Sequence, residues 1–360
     1  MAGEINFFDT YALLAINEQI APEQRFLKDR YFPTEAGDIF TTNKVLTEFR
    51  HMDRKLAAFV SPRIGDIPVD RVGYEVHEYE PARIAPSRLL TLDDLKKRGF
   101  GEALYVNSTE AQRAARIIQE DMIDLRRRID ARLEWMCAQV FINNACTMQT
   151  YVDAATQGEE QYVKFYGDSS DHTYTIDSGK RWNATNGDVF KDVKAMARML
   201  SKRGLPAADL LLGTDTADAL IKIDDVRQLL AKTSGIITGE IDQQLLSYNG
   251  VAFMGVLNFG GFRLNVFSVD ESYIDDSGIE QSYIPAKGAI VTAPKCGRLM
   301  YGAVTQIDYG SDVPTTHTGE TIPKITVDQE NDIRKLRIEC RPLAAPRTYC
   351  PYIYAANAVN

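Results

Sequence analysis

The most regular feature of the sequence is an apolar residue at every third or fourth position between Ala111 and Val140, which predicts one amphipathic helix. Its apolar side consists of Ala115, Ile118, Met122, Leu125, Ile129, Leu133, Met136 and Val140. No Gly or Pro interrupts the chain from Ser108 to Gln149, and Asn107 or Thr109 can start the helix with a capping box. A helix of about 36 residues is roughly 54 Å long at 1.5 Å per residue. It would cross the whole body of a compact chain of this size, whose radius of gyration is about 21 Å.

The opposite side of this helix is charged, with Asp124 four residues before Arg128, the spacing of a helical ion pair. The side is formed by Arg113, Arg116, Asp121, Asp124, Arg127, Arg128 and Arg132. A solvated, internally paired surface is the favoured interpretation, and contact of Arg126–Arg128 with a partner or nucleic acid is the alternative. Trp135 and Met136 are expected in the core.

The N-terminal region consists of short amphipathic pieces. Asp9 can cap a helix with Leu13, Leu14, Ile16 and Ile20 on its apolar side. A second short helix, opened by Pro22 and stopped by Pro33, carries Phe26, Leu27 and Tyr31. Such pieces need a surface to lie on, which is either the core of the same subunit or that of a neighbour.

The stretch from Lys55 to Lys97 is extended and highly charged. Val72, Tyr74 and Val76 alternate with polar or small residues, which is the period of a strand. An isolated two-stranded ribbon is marginally stable in water. We therefore expect either an edge hairpin of the domain or an arm that gains stability on another subunit.

After Gln149 the pattern is mixed α/β. Helices are predicted over Asp188–Leu200 and from a cap at Thr214 or Asp215 through Ile223; strands are predicted at Leu210–Leu212, Val251–Val256, Arg263–Val269, Ala289–Thr292, Leu299–Ile307, Ile333–Leu343 and Thr348–Tyr354. Tyr162–Ile176 is predicted to be a polar hairpin with Gly167-Asp168 in its turn, and Ser311–Pro323 a surface loop.

Composition and charge narrow the class of protein. The 360 residues are 44% hydrophobic and 25% charged, as in globular proteins, and no apolar run is long enough for a membrane span. The net charge of -9 argues against a protein that grips DNA by neutralising its phosphates. Met1–Asn17 does not have the pattern of a secretory signal, and an odd number of five cysteines suggests free thiols in a reducing compartment. We expect a soluble intracellular protein.

Patterns that carry chemistry are mostly missing. There is no phosphate-binding Walker loop, Gly167–Asp171 departs from the nucleophile elbow at its last position, and His77-Glu78 lacks the second histidine of a zinc protease. The acidic groups at Asp270–Asp276 and Asp308–Asp312 surround glycines and favour turns over ion sites. We predict no catalytic, cofactor-binding or metal-binding residues, no cofactor, and no enzymatic activity.

The order of these elements, from arm and charged ribbon to long helix, α/β region and terminal strands, resembles the lambda-type (E-type) major capsid proteins of tailed bacteriophages. That family shares the fold first described in phage HK97. The segments that carry the resemblance are Leu13–Gln19, Phe59–Gly65, Gly261–Val266, Tyr273, Asp276, Gly278, Tyr283–Pro285 and Gly288.

The resemblance implies an α+β, HK97-like fold with domains in the family order. These are an N-terminal arm at 1–50, an E-loop β-hairpin at 57–95, the first part of a P-domain at 96–185 with a spine helix at 108–146, an A-domain at 186–300, and the C-terminal strands of the P-domain at 301–360.

The function that the resemblance implies is a major capsid protein. Subunits would assemble through hexamers and pentamers into an icosahedral procapsid that expands around double-stranded DNA. The implied partners are other copies of the chain, a separate scaffolding protein, a portal, DNA contacted non-specifically and, as an optional addition, a decoration protein, with no membrane. The expected location is the virion, and the host cytoplasm during assembly. The alternatives are an encapsulin-like compartment and, further off, a soluble α/β enzyme or binding protein.

Overall fold

The computed structural model describes residues 17, 20, 23–50, 56, 73–91, 110–151, 156–166, 171–223, 226, 248–308, 312–330 and 333–360. Its helices are α1 (Phe26–Tyr31), α2 (Glu110–Asn143), α3 (Val189–Lys202) and α4 (Thr214–Lys222). We call α2 the spine helix. The predicted helix with Leu13, Leu14 and Ile16 and its cap Asp9 lie outside the described residues, as do Asn107, Thr109 and all of 57–72.

Strands account for most of the remaining regular structure. They are β1 (Val45–Arg50), β2 (Tyr74–Tyr79), β3 (Ser87–Thr91), β4 (Ala145–Tyr151), β5 (Gln157–Lys164), β6 (Asp209–Leu212), β7 (Val251–Phe259), β8 (Phe262–Val269), β9 (Ser272–Ile274), β10 (Glu280–Ser282), β11 (Ala289–Thr292), β12 (Gly297–Tyr301), β13 (Val304–Ile307), β14 (Pro314–His317), β15 (Ile322–Asp328), β16 (Ile333–Glu339), β17 (Pro342–Pro346) and β18 (Ile353–Ala355). The largest sheet has the order β18-β11-β6-β8-β7, with only β6 and β8 parallel. A second sheet has the order β15-β16-β3, and the pairs β1-β2, β4-β5, β9-β10, β12-β17 and β13-β14 are ribbons.

The spine helix confirms the predicted long helix and its inward face. Six of the eight apolar positions that the spacing selects are buried: Met122, Leu125, Ile129, Leu133, Met136 and Val140. The predicted end at 146 is wrong, because Asn144 adopts a left-handed conformation (φ 51°) and β4 begins at Ala145. Asn tolerates this conformation better than most residues, so the helix can end at Asn144 although the sequence has no Gly or Pro there.

The inner strands β6 and β11 of the five-stranded sheet are buried on both faces. Leu211, Phe267 and Ile290 face the core that contains the spine helix. Leu210, Leu212 and Val266, from alternate positions of the same strands, belong to a second core beneath α3. Burial on both faces explains why β6 and β11 are continuous apolar runs in the sequence.

Helix α1 lies on the core of its own subunit. Of the two surfaces that the sequence allowed, the subunit's own core and that of a neighbour, the structure shows the first for this helix. Phe26, Leu27 and Tyr31 are buried, and the ring of Tyr31 packs edge-on against Phe141 of the spine helix with centroids 5.6 Å apart. This part of the arm is therefore integral to the subunit.

The predictions of one hairpin and one surface loop are wrong. Among the described residues the hairpin at Tyr162–Ile176 is not formed, because Gln157–Lys164 pairs with Ala145–Tyr151 instead. The predicted turn at Gly167-Asp168 lies outside the described residues. The polar first half of β5 gives no apolar signal, and only its end, at Val163, is buried. The expected loop at Ser311–Pro323 contains β14, which pairs with β13 in the register Val304↔His317. Its threonines are β-formers, and Pro314 is tolerated at the first position of the strand.

Other boundaries also differ from the prediction. The helix α4 has Gly213 as its N-cap rather than Thr214 or Asp215. Gly213 has no side chain to cap the helix, and the backbone amide of Thr216 donates instead to the carbonyl of Ala286 in a neighbouring loop. The predicted strands over Leu299–Ile307 and Ile333–Leu343 are each two strands.

The breaks between them occur where backbone amides bond to other segments: Gly302 donates to Arg341, and Cys340 to Ile84. Likewise, of the predicted Thr348–Tyr354 strand only Ile353 and Tyr354 are in a regular strand, β18.

Candidate assembly surface

The ribbon formed by β1 and β2 has one face on the subunit and one face in solvent. In its register, Leu46 lies opposite Glu78, and Val76 lies two positions along on the same face. Leu46 is 47% exposed and Val76 is 49% exposed, whereas Val45 and Thr47 on the other face are buried. Two large apolar side chains thus stand in solvent next to each other across the strands.

The base of this ribbon is fixed to the rest of the subunit through β5. The hydroxyl of Tyr79 donates to the carbonyl of Lys164 (3.1 Å), and the side-chain amide of Gln161 donates to the backbone carbonyl of Glu80 (2.6 Å). The Tyr79 ring also packs edge-on against Phe165, with centroids 5.9 Å apart. The exposed face of the ribbon is therefore held by a rigid base.

The junction between α1 and the spine helix is built around Glu134. This buried carboxyl group accepts hydrogen bonds from the backbone amides of Leu27 (2.6 Å) and Lys28 (2.9 Å) in the first turn of α1. Burial, with the charge of Glu271 in addition, raises the pKa of Glu134 to about 8 despite these bonds. One turn earlier, Asp130 pairs with Lys28 at 2.9 Å.

A second junction joins α1 to the five-stranded sheet. Asp209, at the start of β6, is fully buried. Its carboxylate accepts from Arg30 Nε (2.7 Å) and Nη2 (3.1 Å), from the hydroxyl of Tyr31 (2.9 Å) and from the amide of Asn265 (2.8 Å). The Arg30 guanidinium also lies over the ring of Phe267, 5.0 Å from its centroid. Because every partner is satisfied, this buried charge is compatible with a stable fold.

The sequence did not reveal these two junctions. The sequence contains one indication of the Glu134 junction. Asp130 and Glu134 are four residues apart next to the apolar stripe of the spine helix, where two acids would need buried partners. Nothing in the sequence connects Arg30 to Asp209, 179 positions away.

The charged side of the spine helix is largely paired. Arg128 Nε is 3.5 Å from Asp124, as predicted, although Arg88 of β3 also contacts Asp124 and bonds to Asp121 at 2.8 Å. Arg127 and Arg128 are exposed, while Arg126 donates to the carbonyl of Asn17 (2.8 Å). Surface pairs of this kind contribute little stability, so the surface is mainly solvating.

Trp135 and Met136 differ from each other in burial. Met136 is buried, as expected, while Trp135 is partly exposed, with its indole N–H donating to the hydroxyl of Tyr273 (3.1 Å).

The acidic groups of the sequence are used within the chain. Asp275 accepts from the amides of Ser277 (2.9 Å) and Ile279 (2.8 Å), which forms the predicted turn of the β9–β10 ribbon. Asp308 bonds to Nε2 of His317 at 2.9 Å, and residues 309–311 lie outside the described part. Within the described ranges, no group of three His, Cys, Asp or Glu side chains could hold a metal ion.

The five cysteines are buried free thiols. Desolvation raises the pKa of each thiol: Cys137, Cys146, Cys296, Cys340 and Cys350. Thiols in such surroundings are poor nucleophiles. No helix among the described residues is long and apolar enough to cross a membrane.

Two solved structures with the same architecture come from a prophage and from a phage-related protein. A prophage protein of E. coli CFT073 assigned as its capsid protein superposes with a TM-score of 0.67 at 17% identity, covering 97% of this chain and 99% of that one. A phage-related protein from Bordetella bronchiseptica RB50 gives a TM-score of 0.50 at 14% identity, covering 96% of both chains. The long helix, the ribbon and the sheets are thus those of an HK97-like capsid fold. No curated protein sequence matched the chain.

Residues 9–353 match the family model of phage major capsid protein E, and the chain belongs to that family. It is a capsid-forming structural protein of a bacteriophage, found in the virion, and it self-assembles. The family predicted from the sequence is confirmed.

Proposed function

We propose that the chain builds an icosahedral phage head from hexamers and pentamers, first as a procapsid that later expands around double-stranded DNA. In this role it acts through its surfaces and catalyses no reaction. The observation that carries the proposal is the ribbon β1–β2, whose outer face presents Leu46 and Val76 to solvent on a rigid base. An apolar pair in this position is suited to lie across an adjacent subunit.

The proposed domain division follows the family order: an arm at 1–50, an E-loop at 57–95, a P-domain at 96–185 and 301–360, and an A-domain at 186–300. The two cores support it, since the second core lies between α3 and one face of the five-stranded sheet. That core also contains Trp182 and Ile353, so the chain on both sides of the proposed A-domain packs into it.

The proposed partners are other copies of this chain, a separate scaffolding protein, a portal and the packaged DNA, with a decoration protein as an optional addition. The net charge of -9 supports a container that does not adhere to the polyanion it encloses. Assembly would take place in the host cytoplasm.

The test is sedimentation velocity of the purified protein, with negative-stain images of the fastest species. The expected result is rings of five or six subunits, tubes or closed shells, and analysis of their contents separates DNA from a cargo protein. A strictly monomeric, compact chain under all assembly conditions would overturn the proposal.

A matched pair of variants tests the ribbon. Leu46→Ser with Val76→Ser should leave a folded subunit that forms no closed shells, because it removes the apolar face of the ribbon. Ile221→Ser removes an apolar side chain of equal exposure (47%) on α4 and should assemble normally. Normal shells from the ribbon variant would exclude this face from the subunit contact.

A further inference from the structure

The outer side of α3 forms a basic groove with an apolar floor. The groove has a volume of about 730 Å³ and also involves the turn between β7 and β8 at Gly260. Its cations are Lys191, Lys194, Arg198 and Lys202, and its floor includes Phe190, Ala195 and Met199. Among the described residues, no carboxylate lies within ion-pair distance of Lys191, Lys194 or Arg198. Of the described residues that line the groove, Asp188 at the N-cap of α3 is the one acid.

The β9–β10 ribbon has the complementary character. Residues 270–280 contain five carboxylates and no cation. Among the described residues, the cations that pair with them are Arg25, with Glu271, and Arg132, with Asp276, and the hydroxyl of Tyr151 also donates to Asp276. Ile274 and Ile279, next to the turn, are 74% and 58% exposed. In the ribbon's register Ile274 lies opposite Glu280, and the backbone amide of Asp275 donates to the carbonyl of Ile279. Ile279 is therefore opposite Asp275, the residue after Ile274, and the two isoleucines are on opposite faces of the ribbon. The ribbon lies against the spine helix, where Trp135 donates to the hydroxyl of Tyr273 and Arg132 pairs with Asp276, while both isoleucines remain exposed.

The groove and the ribbon lie at opposite ends of the same sheet. The β7–β8 turn precedes β8 and the β9–β10 ribbon follows it, so the length of β8, about 26 Å at 3.3 Å per residue, separates them. They cannot meet within one subunit. Two complementary patches at opposite ends of a subunit favour head-to-tail contacts, which form a ring when the rotation between neighbouring subunits closes.

We propose that the acidic tip of the β9–β10 ribbon of one copy of this chain occupies the basic groove of α3 on the next copy around a capsomer. The inference rests on the proposed assembly into rings and names the contact that forms them. Ile274 or Ile279 packs on Phe190 and Met199, and the ribbon carboxylates face the four cations. A separate acidic peptide in the groove is the competing occupant that the test excludes.

Cysteine cross-linking tests the contact directly, because the five native thiols are all buried. Assembled Met199→Cys/Ile279→Cys protein, oxidised with diamide, should give a covalent ladder that ends at five or six subunits. The control pair Met199→Cys/Ile307→Cys uses an exposed isoleucine on β13 and should give no ladder. Shells without the ladder, or an equal ladder from the control, would overturn the inference while the proposed function stands. A wild-type chain that forms no rings or shells would overturn both.

Charge exchange provides a second measurement that does not need a disulfide. Lys194→Glu and Glu280→Lys should each raise the subunit concentration needed for ring formation about five-fold, the effect of one exposed charge pair. The double variant should restore ring formation, since the pair is re-formed with exchanged signs. Single variants that assemble like the wild type, or a double variant no better than the singles, would contradict the contact and favour a separate acidic partner.

Discussion

Arg30 of α1 donates two hydrogen bonds to the carboxylate of Asp209, which is fully buried at the start of β6. The pair ties the short helix of the arm to the centre of the five-stranded sheet. It lies between the ring of Phe267 on one side and the hydroxyl of Tyr31 on the other. An arm that is only a partner-binding extension would not need a buried ion pair with its own sheet.

Replacing Asp209 should strongly destabilise the subunit. Asp209→Asn keeps the shape of the side chain but leaves the Arg30 guanidinium without a counter-charge. Breaking a buried pair costs about 3–5 kcal/mol, and we expect about 3 kcal/mol because the Arg30 side chain is 21% exposed. The measurement is urea denaturation of the unassembled subunit.

The control for this variant is Asp177→Asn, which removes an exposed partner of Lys180. It should leave the denaturation midpoint unchanged. An equal loss of stability in both variants would mean that the Arg30–Asp209 pair has no special role.

Glu134 should make the subunit less stable as pH rises. Its pKa is about 8 in the folded chain, above the value of 4.5 for an unburied Glu. Below about pH 4.5, Glu134 is protonated in both the folded and the unfolded chain. Between pH 4.5 and 8 the unfolded chain loses this proton while the folded chain keeps it, so the free energy of unfolding falls, and the loss is complete above pH 8. We expect the free energy of unfolding to fall by on the order of 3 to 5 kcal/mol between pH 4.5 and 8 from this group.

Comparison with Glu134→Gln isolates this contribution. Gln cannot ionise, so the pH slope should flatten, although one of the two hydrogen bonds to α1 is lost. Glu120→Gln, at an exposed position on the same helix, should retain the wild-type slope. An unchanged slope in the Glu134→Gln variant would show that another group sets the pH dependence.

The sequence predicted the elements whose signal is periodic burial. Met122, Leu125 and Ile129 define the spine helix by spacing alone, and the family resemblance supplied the arrangement of the domains. Contacts between distant polar residues, such as Arg30 with Asp209, leave no local pattern. The pairing of β13 with β14 was missed for a related reason: a short ribbon rich in Thr has the composition of a loop, and its partner strand decides its structure.

The buried face of the spine helix should be far more sensitive than its exposed face. Leu125 is 2% exposed and Ile123, two residues away, is 36% exposed. Leu125→Gly loses both burial and helix propensity, at a cost of about 3–6 kcal/mol. Ile123→Gly carries a similar propensity loss of about 1 kcal/mol and little cavity. Thermal or urea unfolding measures both, and equal losses would count against a packed spine.

The end of the spine helix should depend on the backbone conformation of Asn144 as well as on its side chain. The residue has φ 51°, and its Oδ1 accepts from the hydroxyl of Tyr352 at 2.8 Å. Asn144→Ala loses the hydrogen bond and strains the left-handed backbone, for a total of about 2–4 kcal/mol. Asn144→Gly loses the same hydrogen bond without the strain.

The glycine variant should therefore be the more stable of the two by about 1 kcal/mol, the reverse of their order within a helix. Urea denaturation of both variants measures the difference. An alanine variant as stable as the glycine variant would mean that residue 144 can continue the helix. In that case the change from helix to β4 is imposed by the pairing of β4 with β5 rather than by Asn144.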